Sequence, residues 1–122
     1  MFVRFSTPII DPDAHSTSGI FHAVSLLCER EPVDEYLRQW MEESCQWFNE
    51  HLPVANFRDA PSGRAICWFK DTARHFIGKA RELCVYLKEC GVPVRQMTTR
   101  RPGYIYYEDR YQVAAVPFRT AP

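Results

Sequence analysis

The chain has 122 residues; fifteen basic and fifteen acidic side chains cancel to a net charge of zero, and 46% of the residues are hydrophobic and 14% aromatic. This apolar content excludes a disordered chain, and the charge balance excludes a domain-wide field for nucleic acid or an anionic membrane. No apolar run approaches the roughly 20 residues needed to span a bilayer. The length suits a single domain over residues 1–122, with a real core and little to spare.

The opening MFVRFSTPII lacks a charged lead and a long apolar region, so no secretory leader is expected. Phe2–Ile9 alternates Val3, Phe5, Thr7 and Ile9 against Phe2, Arg4, Ser6 and Pro8, which predicts a half-buried strand. Pro8 marks its end or an edge position. Asp11–Ser18, DPDAHSTS, reads as a loop dense in turn and cap residues. A helix is expected from near Ser18 to near Glu31, with Ile20 or Phe21, Val24, Leu27 and Cys28 on one side. Pro32 fits the first position of a second helix running to about His51. Val33, Leu37, Met41 and Phe48 form one face of that helix and Tyr36, Trp40 and Trp47 an adjacent one. The two helices together read as an αα-hairpin.

Asn56–Gly63, NFRDAPSG, is the longest irregular segment. Arg64–Thr98 follows as strand, turn, helix, glycine stop and strand. Ala65, Cys67 and Phe69 alternate with Ile66, Trp68 and Lys70, so the strand is apolar on most of both faces and belongs inside a sheet covered on both sides. Asp71 suits an N-cap. Phe76, Ala80, Leu83, Cys84 and Leu87 form a buried stripe. Gly91 and Pro93 end the helix. Tyr104–Tyr107 and Tyr111–Phe118, joined through Glu108–Arg110, predict a β-hairpin, and Arg119–Pro122 a frayed tail.

The order β-α-α-β-α-β-β-β gives an α+β two-layer sandwich. We expect a mixed sheet of about five strands with helices mainly on one face, a ferredoxin-like variant; a three-layer α/β arrangement is the alternative. MFVRF, RAICWFK, GVPVR, RPGYIYYED and YQVAAVPF together resemble a family of small uncharacterised bacterial proteins. The resemblance spans most of the chain and implies a bacterial, cytosolic, single-domain protein, but it carries no activity.

Four residue groups are candidates for function. Asp11, Asp13 and His15 offer two carboxylates and an imidazole, weak candidates for a divalent metal, although Asx turns and helix entry use the same residue types. Cys67 with His75 is the nearest approach to a thiol nucleophile, but Cys67 shares the face of Ala65 and Phe69 and is expected in the core. The five cysteines, Cys28, Cys45, Cys67, Cys84 and Cys90, show no CxxC pairing, so a reduced cytoplasmic protein is expected. Arg100, Arg101, Tyr104 and Tyr106, near Arg95, Arg110, Tyr107 and Tyr111, combine guanidinium forks with stackable rings, as anion or single-stranded nucleic-acid recognition requires. Tyr36, Trp40, Trp47 and Trp68 exceed what a small core holds and point to an interaction surface, with burial between the layers as the other outlet.

No glycine-rich phosphate loop, GxSxG or HExxH is present, which counts against the common enzyme classes. The reading is a small cytoplasmic binding module without intrinsic catalysis or cofactor, with a protein partner or a second copy. The alternatives are an enzyme site between the Asp11–Ser18 loop and Lys70–Asp71, and an anion-binding or nucleic-acid-binding domain.

Overall fold

A computed structural model describes residues 1–11, 16–30, 32–55 and 65–118. The elements are β1 (Phe2–Asp11), β2 (Ser16–Gly19), α1 (Ile20–Arg30), α2 (Glu35–His51), β3 (Ile66–Lys70), α3 (Arg74–Glu89), β4 (Arg95–Thr99), β5 (Tyr104–Glu108) and β6 (Gln112–Val116). The α+β class and the helix layer agree with the sequence reading. Asn56–Gly63 and Arg119–Pro122, read there as loop and tail, lie outside the described residues.

β1 organises the sheet. Phe2 and Val3 pair with β3 and β4 at once, and Ser6 pairs with β4 and β2. A strand has only two edges, so β4 takes one, and β3 and β2 share the other end to end. β6 then pairs with β3, and β5 with β6. Six strands thus fill five positions, and every pairing is antiparallel rather than mixed. β3 and β4 do run parallel, but β1 lies between them, so α3 crosses over a strand pointing the other way.

Three local expectations change for long-range reasons. The segment expected as loop up to Ser18 is partly strand, because β2 satisfies its backbone against the far half of β1. Their register slips between Ser6 and Ile10, around Pro8, which has no N–H to give a ladder. α2 begins at Glu35, not Pro32: Val33 packs against the core, and the first helical bond runs from Arg38 N–H to Asp34 O. Asp71 does not cap α3. The start of β1 lies beside it, so Asp71 N–H donates to Met1 O, its carboxylate sits 3.5 Å from the Met1 amino group, and Ala73 takes the cap position.

The helices cover the face that carries Val3, Phe5 and Phe69. α1 packs on β1 and β2, α3 on β1, and α2 on α1 and α3. The whole α3 stripe predicted above is buried, and Met41 and Phe48 of α2 share its core cluster. Full burial of Met41, Leu83 or Leu87 contributes roughly 1.5–3 kcal/mol each. α3 ends in a Schellman motif: Gly91 at φ 84° lets Val92 N–H reach Leu87 O and Gly91 N–H reach Lys88 O, both at 2.9 Å. The other sheet face is buried as well, at Trp68, Val113 and Ala115, which the register places together.

Asp109 closes the β5–β6 hairpin. Its Oδ1 accepts from the N–H groups of Tyr111 and Gln112, and its Oδ2 accepts from Tyr107 O–H and Gln112 Nε2. Gln112 Nε2 also donates to Pro53 O at 2.6 Å, tying the hairpin to the chain leaving α2. Burial raises the Asp109 carboxyl, but these hydrogen bonds outweigh it and hold the group below the usual carboxylate range. At the other end of β5, Gly103 has φ 130°, and a Cβ there would lie 2.1 Å from Val116 O.

Gly103→Ala should therefore destabilise the protein by about 2 kcal/mol or more, read as a lower denaturation midpoint at unchanged slope. A midpoint equal to that of the parent would contradict the clash. For Asp109 the sign follows from its lowered value. The stabilisation is present above the unfolded carboxylate range and disappears as pH falls through the folded value. Asp109→Asn keeps the shape and removes the charge, so its stability should fall less between neutral pH and about pH 2 than that of the parent.

Candidate interaction surface

The most prominent candidate lies along the seam of α2 and α3. Trp40 meets Tyr86 and Trp47 meets His75, so the two helices run antiparallel. In α2, Tyr36 and Trp40 are four residues apart and share a face. Their rings meet edge to face at 5.2 Å, and Trp40 also lies 5.5 Å from Tyr86 of α3. Tyr36 is 51% exposed and Trp40 44%, with Val85 of α3 exposed nearby in sequence. Each ring is braced by a neighbour while its outer surface stays in water.

The other end of the seam is closed. Trp47 is half-buried and stacks on His51 at 4.5 Å and on His75 at 5.3 Å, with Lys79 Nζ 5.4 Å from its ring centre. His51 Nδ1 lies 2.8 Å from Trp47 O, so that nitrogen carries the proton and donates. Phe48 and Phe76 complete the packing around Trp47. Trp47 therefore holds the helices together, whereas Tyr36 and Trp40 are open to a partner. Trp68 does not join them: it is 9% exposed in β3, and its buried indole N–H has no acceptor among the described residues.

The hairpin group divides too. Tyr104 and Tyr106 are exposed on β5, with Ile105 between them, which the sequence reading did not single out. Arg101 lies over Phe118 at 5.2 Å, and Phe118 meets Tyr104 edge to face at 4.7 Å. Arg101 is thus engaged with a ring, and Arg100 is exposed beside it.

The pieces of the alternative enzyme site are far apart. Phe2 pairs with Lys70, while Asp11 is at the opposite end of β1, roughly 30 Å away. Lys70 is ion-paired with Glu108, and Asp71 with the Met1 amino group. Asp13 and His15 lie outside the described residues. Among the described residues, no three or more His, Cys, Asp or Glu side chains are gathered to hold a metal ion.

All five thiols are pushed up, with burial the first cause in each. Cys45, near Cys28 and Glu42, and Cys84, despite Lys88 and Arg81, reach about 11. Cys67 is exposed as a residue instead of lying in the core, because the helix layer stops short of that part of β3, although neighbouring atoms crowd its thiol. Such thiols are poor nucleophiles at neutral pH. A cavity of about 490 Å³ also opens between the ends of the helices, lined by Leu27, Val33, Leu37, Val92, Cys90 and Glu89 among others.

Sequence reasoning missed Tyr86, Val85, His51 and Ile105, and it named His75 as a partner for Cys67 rather than for Trp47. Spacing within a helix reveals an apolar arc, but no signal within one helix shows which ring of the neighbouring helix completes it. No family model, curated protein or solved structure matches the chain.

Met41→Ala should cost about 2–5 kcal/mol of stability, whereas Trp40→Ala should cost no more than about 1–2 kcal/mol, from the contacts of its ring with Tyr36 and Tyr86. Comparable losses would mean that Trp40 is a packing residue. Cys45 and Cys84 should be alkylated by iodoacetamide near pH 8 at least about tenfold more slowly than an unhindered thiol. Mass mapping of labelled peptides reads the rates, and fast labelling of either would contradict the raised thiols.

Proposed function

We propose that the chain is a cytoplasmic binding module that recognises a protein partner through the Tyr36–Trp40–Tyr86 surface and performs no chemistry of its own. The observation that supports it is the pair of exposed rings on α2, packed edge to face and braced by α3. Rigid, partly exposed tyrosine and tryptophan side chains give large contact area at low entropic cost, which is why interfaces are enriched in them. The raised thiols and the already paired Lys70 and Asp71 supply no activated nucleophile or base beside that surface. The bacterial setting implied by the family resemblance belongs to the same reading.

The helix also suggests the chemistry of the partner. α2 carries four acidic residues, Glu35, Glu42, Glu43 and Glu50, against one arginine, Arg38. A partner would offer an apolar pocket for Trp40 with basic residues at its rim, and binding would weaken as salt rises. An anionic-ligand role for Arg100, Arg101, Tyr104 and Tyr106 has less support, since Arg101 already lies over Phe118.

The test compares the parent chain with Tyr36→Ala/Trp40→Ala as immobilised baits against extract of the source cells. A protein retained by the parent, lost from a folded double variant and displaced by salt would support the reading. Identical retention by both baits would overturn it.

A further inference from the structure

The two edges of the sheet are built differently. β4 ends it with Arg95, Gln96 and Thr98 exposed, a polar, charged edge of the kind that discourages further pairing. β5 ends the other side, and among the described residues no strand pairs with its outer edge. There Tyr104 is 60%, Ile105 46% and Tyr106 43% exposed, and Phe118 extends the apolar surface through its contact with Tyr104. No proline or lysine interrupts the strand. A run of backbone donors and acceptors flanked by exposed rings is a template for one more strand.

We infer that the outer edge of β5 pairs antiparallel with β5 of a second copy of this chain, joining two sheets across a two-fold axis. The charge pattern selects that occupant. Arg100 and Arg101 precede β5, while Glu108 and Asp109 end it. Glu108 is already held by Lys70 and Asp109 by the hairpin, so the arginines decide: a copy running in the same direction sets four guanidinium groups together, whereas a copy running in the opposite direction keeps the two pairs at opposite ends of the ladder. A two-fold axis at Ile105 places Tyr104 beside Tyr106 of the second copy. The bulge on the β6 side of β5, between Ile105 and Tyr107, limits regular pairing to Tyr104–Tyr106. One short edge lies at the small end of specific interfaces, so the dimer is reversible.

Sedimentation equilibrium over a wide concentration range reads the association directly, as a rise from the 14.3 kDa chain toward twice that mass. Ile105→Lys puts two like charges together at the axis and should raise Kd more than about tenfold. Ile105 is exposed, so the variant should keep the parent circular dichroism. Hydrogen exchange gives a second reading: alternate amides of Tyr104–Tyr106 should gain protection as concentration rises in the parent and not in the variant. Tyr36→Ala/Trp40→Ala should leave the association unchanged, which separates this edge from the α2 surface. A parent chain that stays monomeric at the highest concentration overturns the inference. So does a dimer that survives Ile105→Lys, or one that Tyr36→Ala/Trp40→Ala dissolves.

Discussion

β1 is paired on both edges at Phe2, Val3 and Ser6, and the rest of the sheet depends on that double pairing. Its near half is paired on both sides, by β3 and β4, and its far half by β2. Had β1 been an edge, β3 and β4 could have met directly beneath α3 as a simple parallel pair. With β1 inserted, the crossover has to span a wider gap, and the α3 stripe lands on Val3 and Phe5. The same insertion brings the start of the chain to Asp71, which is why that carboxylate is drawn away from the helix it was expected to cap.

What the sequence made legible was the local part of this design. The three-and-four spacing of Phe76, Ala80, Leu83, Cys84 and Leu87, and the glycine at Gly91, report periodicity and backbone freedom, which neighbours in the chain determine. The hairpin and the apolar character of β3 on both faces were readable for the same reason. β2 was not, since its residues Ser16–Gly19 have the composition of a turn and become strand only by pairing with β1. Cys67 shows a related limit: alternation says which side a residue takes, not where the covering layer ends.

The candidate site follows the same division. The wide apolar arc of α2 was visible as Tyr36, Trp40 and Trp47 beside Leu37 and Met41, because that arc exceeds what one buried stripe needs. Its sorting into an open half and a closed half depends on α3, which offers His75, Lys79 and Phe76 to Trp47 but only Tyr86 to Trp40. Trp68 was grouped with these residues by type, yet it belongs to a different strand environment, buried with Val113 and Ala115.

The position of β1 also has a consequence for how the chain acquires its shape. Ser6 Oγ donates to Met97 Sδ across a sequence separation of 91 residues, and the ladder between β1 and β4 spans similar distances. At roughly 5–20 residues per second of synthesis, β1 emerges many seconds before β4 exists to cover its second edge. Contacts of such long range are formed late and slow the search for the native state. β1 is therefore made well before β3 and β4 exist to cover its edges, and until then it carries Phe2, Val3 and Phe5 on an unfinished sheet.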